Sequence, residues 1–173
     1  MAIDRTATPR RGAVLGAWRG PSVARAVYGL IVAMSVLAVW SVEHDPDGAE
    51  VLETLVATAV IFWLAHAYSA IAEATITLHR RLTRDEVRNV IAHEWPLVEV
   101  AILPSIVVAL GVAGVFDIKT AIDIALYVCL AELAVTGVAT AWATGARGWR
   151  LLGLCALTIA FGVAIVGAKT LLH

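Results

Sequence analysis

Residues 52–78 read LETLVATAVIFWLAHAYSAIAEATITL, an apolar run whose only acids, bases or imidazoles are Glu53, His66 and Glu73. As a helix it exceeds the ~20 residues that cross a ~30 Å hydrocarbon core. No turn signal cuts it into strands, so the run decides the fold class. The rest of the 173-residue chain agrees: 60% of residues are hydrophobic and 16% charged, with a mean hydropathy of +0.84. A soluble domain of that composition would lack the polar surface to cover its core. The expected class is an all-α, polytopic membrane protein, a bundle of five transmembrane helices.

The five spans are expected at about 24–42, 52–78, 95–116, 120–143 and 150–171, behind an Arg-rich, Gly/Pro-punctuated tail of residues 1–23. Trp18, Trp40, Trp95, Trp142 and Trp149 fall near span ends, where an indole keeps its N–H wet, whereas Trp63 lies well inside the second span. Five crossings place Arg5, Arg10, Arg11, Arg19, Arg25, Arg80, Arg81, Arg84, Arg88, Arg147 and Arg150 on one side and Lys119 and Lys169 on the other. The first loop on that other side carries Glu43, Asp45, Asp47 and Glu50 with no lysine or arginine. The positive-inside rule then sets the N-terminus inside and the C-terminus outside. The first span ends in VLAVWSVEH, without a small-residue cleavage site, and is expected to be retained.

Between the second and third spans, Thr83 and Glu86 have capping-box spacing. Val87, Val90 and Ile91 form one apolar side beyond them. The segment 82–94 is expected either as a short helix on the inner membrane surface or as an extension of the second span. Small residues at four-residue spacing promise close helix contacts: Gly29 and Ala33; Gly137, Ala141 and Gly145; Ala156, Ala160, Ala164 and Ala168. Pro104 is expected to kink the third span. No internal repeat is visible, so a two-fold arrangement would come from a homo-oligomer.

The polar residues at span depth are the candidate site. Charges at the bilayer centre cost about 2.5–3.5 kcal/mol on insertion scales and usually face protein or water. His66, Ser69 and Glu73 share one face of the second span, Glu99 lies one turn into the third, and Asp123 and Glu132 lie on the fourth. Their expected depth order is Asp123 outermost, His66 and Glu132 central, Glu99 and Glu73 inner, which suits a hydrated or proton-relaying path. Asp123 and Glu132, nine residues apart, stand on opposite faces of one helix and cannot both line a narrow pore in one monomer. Structural readings stand beside each residue. His66 is then a neutral core histidine bonded to a carbonyl or to Glu132, and Glu132 a protonated core acid. Glu73 and Glu99 pair with Arg80, Arg81 or Arg88, while Asp123 reaches the interface or Tyr127.

YGLIV at 28–32 and FWLAHAYS at 62–69 resemble stretches in small five-span integral membrane proteins of actinobacteria. That resemblance implies a bacterial cytoplasmic (inner) membrane and brings no activity with it. Cys129 and Cys155 lie in different spans and read as small core residues, not a disulfide. No P-loop, zinc-ligand spacing or hydrolase motif occurs. No cofactor, no nucleic acid and no enzymatic activity are expected. The remaining expectation is a cation or proton channel or transporter working as a homo-oligomer in the lipid bilayer, with a non-transporting scaffold or accessory subunit as the alternative.

Overall fold

The computed structural model describes residues 22–143. The tail before them, the fifth expected span with its alanine stripe, and Cys155 lie outside the described residues. Five helices and no strands make up the described chain: α1 (Ser22–Trp40), α2 (Gly48–Leu78), α3 (Arg84–His93), α4 (Pro96–Val112) and α5 (Ile118–Ala143). Three of them, α1, α2 and α5, are long and apolar enough to cross a membrane, and α3 with α4 makes a fourth if that bent pair is one span.

Local chemistry sets the helix ends. Asp47 caps α2 by accepting from the Ala49 amide at 2.8 Å. At its other end His79 turns the chain into the left-handed region at φ 51°, with its amide on the Ile76 carbonyl. The capping box is present on α3: Thr83 accepts from the Glu86 amide, and the Glu86 carboxylate accepts from the Thr83 amide. Pro96 opens α4, where a missing N–H costs nothing. Gly114 (φ 76°) and the Asp117 carboxylate, which accepts from Lys119 and Thr120, turn the chain from α4 into α5.

Helices α1 and α4 are the central pair, each packed on both α2 and α5, which flank them on opposite sides. The core joins Leu30, Met34 and Leu37 of α1, Val51 and Leu55 of α2, Val108 of α4, and Ile122, Ala125, Cys129 and Leu133 of α5. Small residues bring the backbones together, as the spacing suggested for Gly29. A Cβ on Gly29 would stand 2.5 Å from the Leu97 carbonyl oxygen, and one on Gly111 2.6 Å from Ala121 Cβ. Outward faces are also apolar, including Ile61 and Leu64 on α2, Ile102, Leu103, Ile106 and Leu110 on α4, and Val135 on α5. A bundle apolar inside and out is built for a bilayer.

Helix α3 is separate from α2 and neither lies at right angles to α4 nor continues it straight; the two are bent by 44° at residues 94–95. Helix α4 itself runs unbroken through Pro104, which is buried. The described chain changes direction sharply at residues 94–95, immediately before the proline-bearing helix.

Candidate functional site

Contacts at both ends fix how the helices stand against one another. Gly48 on α2 faces Val112 and Ile118, at the end of the bundle that also carries Glu43, Asp45 and Asp47. At the other end Trp63 of α2 meets Trp95 edge-on, with centroids 6.0 Å apart. The 17 residues of α4 are thus matched by residues 48–63 of α2, and the 19 residues of α1 have nearly the same length, ~28 Å. Helix α2 is 31 residues long, so its second part projects past the start of α4.

This register places the candidate residues along the bundle. His66 stacks obliquely on Tyr28 (5.8 Å) and Phe62 (5.1 Å), one turn from Arg25. It lies level with Tyr28, toward the end of α1 that carries Arg25. Its Nδ1 is 3.1 Å from the Phe62 carbonyl oxygen one turn back, the carbonyl alternative among the readings above. Ser69 and Glu73 follow on the projecting part of α2 and are exposed. Equal steps along α4 and α5 from the Gly111–Ala121 contact put Glu132 level with Val100, about one turn from the basic end. Glu99 is at a similar level and exposed, whereas Glu132 is half-buried with its Oε2 shielded and without a hydrogen-bond partner among the described residues. Asp123 is half-buried near the acidic end, where it has an interaction partner. Tyr127, the expected local partner, is exposed.

The six candidates are not gathered into one cluster. His66, Ser69 and Glu73 stand on α2 and Asp123 and Glu132 on α5, with the α1–α4 pair between the two helices. No group of three or more His, Cys, Asp or Glu among the described residues has metal-binding geometry. Levelled through the Gly48–Val112 and Gly111–Ala121 contacts, residues 54–59 of α2, 101–106 of α4 and 126–131 of α5 share a layer about 9 Å thick that, with residues 26–40 of α1, contains no acid, lysine, arginine or histidine.

The polar contact that the sequence reading missed is at the basic end. Arg25 Nε donates to Glu94 Oε2 at 2.7 Å, with the Glu94 side chain 5% and the Arg25 side chain 23% exposed. This pair fastens the start of α1 to the α3–α4 corner. Glu94 follows Val87, Val90 and Ile91 at helical spacing, so its place on the apolar side of α3 was the signal available. Beside it on the surface, Arg80 chelates Glu86 through both guanidinium nitrogens at 2.9 and 2.6 Å. The Arg80 hydrogen bond, with the Thr83 amide second, holds the Glu86 carboxyl at about 2.

No protein-family model matches the chain, and no curated protein or solved structure matches it either.

Proposed function

We propose that the chain is a five-span protein of a bacterial cytoplasmic membrane, N-terminus inside and C-terminus outside, that serves as a scaffold or accessory subunit. Its buried polar groups hold helices to one another and do not carry ions through its own bundle. The observation behind this reading is a layer of the described helices, about 9 Å thick, that is free of acids, bases and imidazoles between the levels of Asp123 and Glu132. Secondary transporters place substrate and ion sites near the midplane, commonly on broken helices. The apolar layer of this bundle is filled by Met34, Leu55 and Cys129. The orientation is supported by the one-sided placement of the arginines.

A second reading is favoured by Glu99 and Glu132. One is exposed on a membrane-depth helix, and the other has a shielded carboxylate oxygen with no partner among the described residues. A cation or proton channel or transporter would then form between copies in a homo-oligomer, with Glu99, Glu132 and Asp123 along the seam and His66, Ser69 and Glu73 at its inner mouth.

Flux into proteoliposomes of the purified chain separates the two, read by a pH dye under a potassium-diffusion potential. The scaffold reading expects no flux above empty liposomes. Flux in the parent that Glu132→Gln abolishes, with an unchanged elution profile, overturns it in favour of the second.

A further inference from the structure

We infer that the arginine edge of α3 is a binding surface for anionic phospholipid headgroups; the inference rests on the membrane-spanning reading above. Four arginines, Arg80, Arg81, Arg84 and Arg88, lie in and just before α3. Arg80 is committed to Glu86. Arg81, Arg84 and Arg88 are exposed and form no ion pair among the described residues.

Their placement fits a charged lipid surface. On the helical wheel Arg84 and Arg88 adjoin Val87 and Ile91, which are half-buried, while Asp85 and Asn89 fall on the far side. The cationic edge therefore borders the apolar side of the helix, the arrangement of helices that rest in the interface. Helix α3 climbs toward α4 at 44° to its axis, and Trp95, half-exposed, stands where the span begins. Two turns of that incline put Arg88 about 9 Å beyond the start of α4 along the span axis. The headgroup layer occupies roughly 5–8 Å on each side of the hydrocarbon, and a long arginine side chain closes the difference by reaching back along the helix.

The orientation of this edge is fixed and does not depend on lipid to create it. The capping box with Arg80 holds the first turn, and the buried Arg25–Glu94 pair holds the end. Binding therefore needs little ordering of the helix, which keeps the cost of engagement low. An acidic protein segment would meet the same arginines but has no use for the adjoining apolar side and tryptophan at the span boundary.

The test is hydrogen exchange of amides 84–93 in the detergent-solubilised full chain, titrated with phosphatidylglycerol and, separately, with phosphatidylcholine or inorganic phosphate. An arginine near an anionic surface contributes a factor of about five in binding. Arg84→Gln/Arg88→Gln should therefore need on the order of 25-fold more phosphatidylglycerol for the same protection, while Arg84→Lys/Arg88→Lys stays near the parent. Unchanged exchange in peptides from 118–131 certifies that the variants are folded. Equal protection by phosphatidylcholine, protection by phosphate alone, or an unshifted titration in the double glutamine variant would each overturn the inference. Labelling of Asn89→Cys from the two sides of sealed vesicles tests the topology separately. Labelling from the outside only would sink the orientation and leave the lipid result standing.

Discussion

Replacing Glu94 with Gln leaves the shape of the α3–α4 corner nearly unchanged and removes the charge that Arg25 faces. The two groups meet at 2.7 Å, with Glu94 almost wholly buried and Arg25 about three-quarters buried. Two unit charges whose centres are 4 Å apart interact by about 4 kcal/mol at an effective dielectric of 20. Breaking one side of a buried pair costs roughly 3–5 kcal/mol because the other charge is stranded. Partial access of Arg25 to water moves the expectation to the low end, about 3 kcal/mol. For a chain of this size that corresponds to a fall in Tm of roughly 6–12 °C. Thermal unfolding in one fixed detergent, followed by far-UV circular dichroism, reads it. The compensated variant Arg25→Met/Glu94→Leu removes both charges and should recover most of the loss, since apolar replacements of a buried pair are often neutral or better. A Glu94→Gln variant within about a degree of the parent would refute the claim that this pair fastens α1 to the corner. So would a double variant no more stable than the single one.

Gly29→Ala should cost about 1–3 kcal/mol, because its Cβ would press on the Leu97 carbonyl oxygen and α1 must move off α4; the same unfolding experiment checks it, and an unchanged Tm contradicts the close approach. Trp95→Leu should lose the edge contact with Trp63, about 0.5–1.5 kcal/mol beyond packing area, seen as a lower Tm that Trp63→Leu does not lower further by the full amount. For Glu86 the sign follows from a depressed carboxyl: its support of the α3 cap is complete above the ordinary value of 4.5 and is lost as pH falls toward about 2. Exchange of the Thr83 amide should accordingly be slower in the parent than in Glu86→Gln at pH 6, with the two converging near the acid limit. Identical exchange at both pH values would contradict the capping geometry.

Much of this fold was legible in one dimension because apolar runs and caps are local signals. The runs containing α1, α2, α4 and α5, the Thr83–Glu86 box and the close approach at Gly29 all follow from spacing. The register between helices was not legible in the same way. The 52–78 run is apolar along its whole length, so hydropathy alone places its middle, near His66, at the middle of a membrane. Only the partners reveal that α4 ends beside Trp63 and that α2 continues past it. Glu94 escaped for a related reason. Among the many charges of residues 80–94 its composition is ordinary, and its burial depends on Arg25, distant in sequence. The candidate site was drawn from residue type and depth, and the packing sets its α2 members apart from its α5 members, with Glu99 on α4 between them.

That register is tested most directly by cysteine accessibility along α2, in a Cys129→Ala/Cys155→Ala background reconstituted into vesicles. Outward-facing positions Ile61, Leu64, Tyr68, Glu73 and Ile76 are replaced one at a time and exposed to a membrane-impermeant maleimide from each side. The account predicts protection at Ile61 and Leu64, onset of labelling near Tyr68, and full labelling at Glu73 and Ile76 from the side that carries the arginines. Protection continuing through Ile76 would return His66 to the middle of the membrane and contradict the account.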